Sequence, residues 1–134
     1  MQFRFAALSA ISVSVAMAFT IVFAQAAEVI AMKSGETIEI GNLFFVVNCR
    51  SLLKGTMTVE VLEGPSDVTA SIREQKIVPH IQNCAKPVAG GVLLLTAAKE
   101  IKERKEAKLI LRVKYPVVDG EHQQSRNIDL TIVL

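Results

Sequence analysis

An all-β sandwich is the fold class this sequence predicts, and three observations carry it. Apolar and polar residues alternate with a period of two through most of the chain beyond Glu36, as half-buried strands require. Clusters of Gly, Pro, Asn and Asp interrupt the alternation at short intervals, as turns between short strands do. Of the only two cysteines, Cys49 follows the apolar Leu43–Val47 run and Cys84 sits within the least regular part, where a cross-link would tether an otherwise loose connection.

The chain starts with a short basic lead, Met1-Gln2-Phe3-Arg4, followed by an uncharged, largely apolar run from Ala6 to Phe23. This is the pattern of a secretory signal peptide, and Ala24 and Ala26 supply the small side chains of a cleavage site after Ala26. The competing expectation is an uncleaved anchor, because the run approaches the roughly 20 residues that span a bilayer. Ser9, Ser12, Ser14 and Thr20 dilute it, and no cysteine near the cut invites a lipid. Residues 1–26 are therefore expected to be removed, leaving residues 27–134 as one domain of ordinary size in an exported, periplasmic or secreted protein.

The whole chain holds 15 Lys and Arg against 13 Asp and Glu, and losing Arg4 brings the two nearer still. Such a balance gives no electrostatic reason to expect nucleic acid or an anionic membrane surface. Two cysteines in an oxidising compartment allow one intramolecular pairing, Cys49 with Cys84. Closing a loop of that length restricts the unfolded chain by roughly 3 to 4 kcal/mol.

Taken in order, Thr37-Ile38-Glu39-Ile40 alternates as a strand and Gly41-Asn42 breaks it. Leu43-Phe44-Phe45-Val46-Val47 is apolar on both faces, as a strand covered on both sides or facing a partner would be. Thr56 to Leu62 places Met57, Val59 and Val61 on one face, and Glu63-Gly64-Pro65-Ser66 is a turn into Val68 to Ile72, so these two strands are expected to pair as a hairpin. From Gln75 to Gly90 the pattern fades around Pro79, Pro87 and Cys84, and Val92 to Thr96 resumes it. The charged run Ala97 to Ala107 is expected to be a solvated crossing with a helical turn supported by the Glu100/Arg104 and Lys102/Glu106 spacings.

Lys108 to Tyr115 and Asn127 to Val133 form the best-defined hairpin. With Asp119-Gly120 as a two-residue turn, Leu111 falls opposite Ile128 and Leu109 opposite Leu130, so the apolar faces coincide. In that register Pro116 occupies a hydrogen-bonded pair with no N–H to give, which predicts a local break, and Arg126 falls opposite Val113 at the sheet rim. Seven strands in about 100 residues predict an immunoglobulin-like sandwich of about seven antiparallel strands with one disulfide. The tryptophan of antibody domains is missing, and Cys84 sits in a loop.

Gly35-Glu36-Thr37, Asn48-Cys49-Arg50-Ser51-Leu52-Leu53-Lys54, Val61-Leu62-Glu63-Gly64-Pro65, Asn83-Cys84-Ala85-Lys86-Pro87-Val88 and Arg112-Val113-Lys114-Tyr115 together resemble a family of small uncharacterised secreted, periplasmic, immunoglobulin-like proteins of Gram-negative bacteria. The resemblance covers the region after the signal and includes both cysteines. It implies a compartment and a module, and the disulfide, without an activity.

No stretch carries a catalytic constellation. Thiol catalysis by Cys84 with His80 would need a free cysteine, which an oxidising compartment disfavours. A copper site of the cupredoxin kind built on Cys84, His80 and His122 lacks the histidine and methionine that should follow the cysteine closely. Gly90-Gly91 lacks the lysine and helix of a phosphate loop, and the pairs Glu100/Glu103 and Asp119/Glu121 lie in solvated segments. No catalytic, cofactor or metal residue is assigned. The function expected is a non-catalytic exported binding or structural module whose partner is another exported protein; the alternative is a small periplasmic metal or redox protein using the cysteines and histidines. For the first, the expected partner-binding residues are His80, Gln82 and Lys86, on the loop that Cys84 holds beside Arg50 and Lys54, with the Leu43 to Val47 strand next in line.

Overall fold

The computed structural model describes residues 27–81 and 83–134; the expected signal peptide lies outside them. Nine strands make up the described chain: β1 (Glu28–Lys33), β2 (Thr37–Leu43), β3 (Val46–Val47), β4 (Arg50–Ser51), β5 (Thr58–Glu63), β6 (Val68–Ile77), β7 (Val88–Ala97), β8 (Lys105–Val117) and β9 (Gly120–Val133). They form a four-stranded sheet in the order β1-β9-β8-β5, a three-stranded sheet β2-β7-β6 and a two-stranded ribbon β3-β4. The all-β class, the layered sheets and the disulfide agree with the sequence.

Alternation builds the core between the two larger sheets. Leu109, Leu111 and Val113 of β8 and Ile128, Leu130 and Ile132 of β9 point inward from one sheet, and Leu93 and Leu95 of β7 point inward from the other, all essentially inaccessible to water. At roughly 1.5 to 3 kcal/mol for each fully buried aliphatic side chain, this layer is the main favourable term in folding. In β2 a bulge between Glu39 and Gly41 changes the phase, so that Ile38, paired with Leu95, and Leu43, paired with Gly91, both reach the core although their numbers differ in parity.

The expected hairpin between residues 56–62 and 68–72 does not form. β5 pairs with β8 and β6 pairs with β7, so the turn between them crosses from one sheet to the other. Both strands carry an apolar stripe, Met57 and Val59 on one and Val68, Ala70 and Ile72 on the other, and the crossing turns these stripes toward each other across the core. The chain makes the crossing over Leu109, whose Cδ1 lies 2.6 Å from where a Cβ of Gly64 would stand, so a side chain there would push on a buried core leucine, and the φ of 157° favours glycine as well.

The expected strand over Leu43–Val47 is also divided. β2 ends at Leu43, and the chain leaves its sheet at Phe44-Phe45 to form the β3-β4 ribbon. Phe45 packs instead across the end of the sandwich, its ring centroid 6.1 Å from that of Tyr115. In its place β1 enters the architecture unforeseen, pairing in parallel with β9 from Glu28 opposite Ile128 to Lys33 opposite Val133. Seven strands do make the two main sheets, but β1 is among them, and not every pairing is antiparallel.

The β8-β9 hairpin forms with a register two residues from the expected one: Val117 pairs with Gly120, Leu109 with Ile128, and Leu111 with Arg126. Val118 and Asp119 occupy the turn, and the positive φ falls on Gly120 (137°), not on Asp119. This register solves the proline problem. Pro116, opposite Glu121, stands one step from the closing pair and turns its backbone away from β9, where its carbonyl accepts the Lys54 N–H at 2.8 Å. The missing proline N–H is therefore not asked of the ladder, which runs unbroken. The charged run before β8 makes a turn at Lys99-Glu100 with no helical turn, and β8 takes over at Lys105.

Candidate functional site

One end of the sandwich gathers the residues that sequence reasoning singled out. Val47 and Arg50 pair across the β3-β4 ribbon, leaving Asn48 and Cys49 as a two-residue turn with φ of 50° and 60°. Positive φ at both central residues is the signature of the type I′ turn that matches strand twist. Asparagine tolerates that conformation well, whereas a cysteine there costs about 1 kcal/mol or more relative to glycine. The ribbon is wedged between the sheets: Ser51 Oγ donates to the Ala89 carbonyl at 3.3 Å, the Leu52 N–H donates to Phe45 O at 2.9 Å, and Leu53 bridges Val117 of β8.

From the tip of this ribbon Cys49 reaches Cys84, with Cα atoms 5.3 Å apart. Cys84 lies in the connection between β6 and β7, residues 78–87, whose turn is closed by the Cys84 N–H to Ile81 O bond at 3.0 Å and by Asn83 at φ 59°. Ile77, Pro79, Cys84 and Val92 are all buried yet stand outside the core between the sheets, giving this connection an apolar footing of its own. The expected tether is therefore real, and it ties two separate loops into one surface.

On that surface His80 and Lys86 are exposed, and His80 borders a shallow depression with Val78, Asn83, Cys84 and Ala85 that Lys86 does not line. Gln82 lies outside the described residues. Arg50 and Lys54 are also exposed; Arg50 adjoins Cys49, while Lys54 stands across the end of the sandwich beside Pro116. Val47, Ile81 and Val118, all in this group of loops, expose 49%, 40% and 58% of their surface.

Sequence reasoning missed a polar row beside these loops. Because Leu111 pairs with Arg126, the inward face of β9 continues past its apolar half as Arg126, Gln124 and His122, opposite Leu111, Val113 and Tyr115. The His122 ring lies on Phe45, centroids 4.7 Å apart. The Tyr115 hydroxyl donates to Gln124 Oε1 at 3.1 Å, and burial pushes it above its ordinary pKa of 10.0, with the Arg126 charge pulling the other way. Arg126 donates to Glu28 Oε2 at 2.5 Å and to Ile40 O at 3.0 Å, and its guanidinium lies where a Cβ of Gly41 would be, 2.9 Å away. It does not snorkel out at a rim opposite Val113, as expected; it joins β1, β2 and β9. The even-numbered alternation from His122 to Ile132 was the signal for this row; the two-residue error in register misplaced its cross-strand partners, and Glu28 lies on a strand that the sequence reading did not foresee.

Each cysteine sulfur is bonded to the other, so neither serves as a nucleophile or a metal ligand in this state. Among the described residues no three His, Cys, Asp or Glu side chains gather as a metal site would need, and no helix is long and apolar enough to cross a membrane. Comparison with protein-family models, curated proteins and solved structures finds no match to this chain.

Proposed function

We propose that this protein is a non-catalytic, exported binding module, immunoglobulin-like in the broad architectural sense, that recognises another exported protein through its disulfide-tethered end. The observation that carries the reading is the Cys49–Cys84 bond, which joins a turn tip to a loop 35 positions away and makes them one surface bearing His80, Ile81, Val47 and Lys86. A surface ordered in advance loses little entropy when a partner docks, so modest contacts suffice for binding. The oxidised pair suits the periplasm or the exterior, the compartment that the signal-like start at residues 1–26 and the resemblance to small secreted proteins also favour.

The test is capture from native periplasm with wild type and with the His80→Ala/Gln82→Ala/Lys86→Ala variant, alongside their melting curves. Equal melting temperatures with capture lost in the variant support the reading; undiminished capture overturns this location. Metal analysis and thiol titration of the purified protein address the other class directly. Stoichiometric metal or a titratable thiol would favour a metal or redox protein.

A further inference from the structure

The two main sheets end on four strands, and three of these are poor templates for another strand. β1 is only six residues long, β2 is bulged between Glu39 and Gly41, and β5 is bulged between Val61 and Glu63. Short or bulged edges are how β proteins discourage pairing between molecules. β6 is different. It runs ten residues, Val68 to Ile77, in unbroken register with β7, without proline, and among the described residues no strand pairs with its other side.

What guards β6 is charge. Glu74 pairs with Gly91, whose missing Cβ would meet Met57 and Ile72, so Glu74 stands on the core-facing side of its sheet, and Lys76, two residues on, shares that side. Both are exposed because the inner face opens here into a groove that they line together with Leu53, Gly55 and Met57. Inward-pointing charges repel a foreign strand by demanding partners it does not supply. A second copy of β6 supplies them. Antiparallel pairing about a two-fold axis keeps each residue on its own face, so residues of like parity oppose each other. An axis through Glu74 or Lys76 would set like charges together, whereas an axis through Gln75 sets Glu74 opposite the partner's Lys76, and Lys76 opposite the partner's Glu74.

We propose that two copies of this chain associate edge to edge through β6, antiparallel about a two-fold axis at Gln75, with two Glu74–Lys76 pairs across the joined edge. The three-stranded sheets become one six-stranded sheet, and the charges that exclude other strands select this partner and this register. Strand addition supplies main-chain hydrogen bonds along Arg73 to Ile77, and the paired charges are screened by salt.

Sedimentation equilibrium of the mature protein across micromolar to millimolar concentrations, at low and moderate salt, tests the proposal with three variants. Wild type is expected to dimerise reversibly and more weakly as salt rises. Glu74→Lys and Lys76→Glu each turn two attractions into two repulsions and should weaken the dimer by about tenfold or more, while the exchanged double variant Glu74→Lys/Lys76→Glu restores it. These positions are exposed, so melting temperatures serve as the folding control. A wild type that stays monomeric at millimolar concentration overturns the proposal, as does a dimer indifferent to the single variants or one that the exchange fails to restore. The readout is self-association, so its failure leaves the binding role of the disulfide-tethered end standing.

Discussion

Removing the disulfide in two ways separates its entropic role from the strain it imposes. A cross-link between residues 35 apart restricts the unfolded chain by about 3 to 4 kcal/mol in the chain-entropy model, and a domain of about 100 residues melts about 4 to 5 °C lower for each kcal/mol lost. A Cys49→Ser/Cys84→Ala variant should therefore melt about 12 to 20 °C below wild type. Position 49 holds a φ of 60°, however, and only glycine adopts it without cost. In Cys49→Gly/Cys84→Ala the turn becomes Asn-Gly, the favoured type I′ pair, and should recover about 0.5 to 1 kcal/mol, or several degrees, once the greater freedom of glycine in the unfolded chain is counted. Thermal unfolding followed by circular dichroism measures all three proteins. Wild type melting equally with and without reductant would refute the tether. Serine and glycine variants melting together would refute strain at the turn.

Three further outcomes follow from the packing. Gly90→Ala should cost about 1 to 3 kcal/mol in urea unfolding, because its Cβ would stand 2.5 Å from the Leu43 carbonyl oxygen and 3.0 Å from Ile77 Cγ1, and backbone cannot step aside; an unchanged midpoint would mean that the β2-β7 approach is looser than this. Tyr115 is the only tyrosine in a chain without tryptophan, so tyrosinate absorbance reads it alone. Its folded pKa is raised, so its contribution is intact below about pH 10 and is lost as pH rises beyond that value, and Tyr115→Phe should flatten this alkaline loss; an ordinary titration midpoint in the folded protein would contradict the burial. Arg126→Met removes the bonds to Glu28 and Ile40 and should destabilise by about 1 to 2 kcal/mol, with amide exchange rising first in β1 and the Gly41 bulge; exchange unaltered there would show that β1 is held by its ladder alone.

Period-two patterning made the class and most of the elements legible, because the face a residue takes depends only on parity. Met57 and Val59, Leu93 and Leu95, and Leu109 to Tyr115 point inward as their alternation predicts. Parity does not say which strand lies alongside. The Glu63–Ser66 turn resembles a hairpin locally, yet the strands it joins belong to different sheets, and the decision rests on their pairing with β8 and β7 further along the chain. β1 was illegible for the same reason: Glu28 to Lys33 gains its place from β9, a hundred residues on, and from the Glu28–Arg126 pair.

The β8-β9 hairpin shows how an error that leaves the core intact can still misplace the pairings of a polar row. A displacement of two residues preserves every inward and outward assignment, so coincident apolar faces support both registers equally. Local chemistry decides between them. The expected register demands positive φ at Asp119 and a hydrogen bond from Pro116, which has no N–H, whereas the observed one places the glycine where positive φ occurs and turns the proline toward Lys54. A residue with no donor is thus stronger evidence for register than a pattern of donors and apolar side chains. Given that weight, Pro116 alone would have moved Arg126 beside Leu111 and set His122, not Gln124, opposite Tyr115.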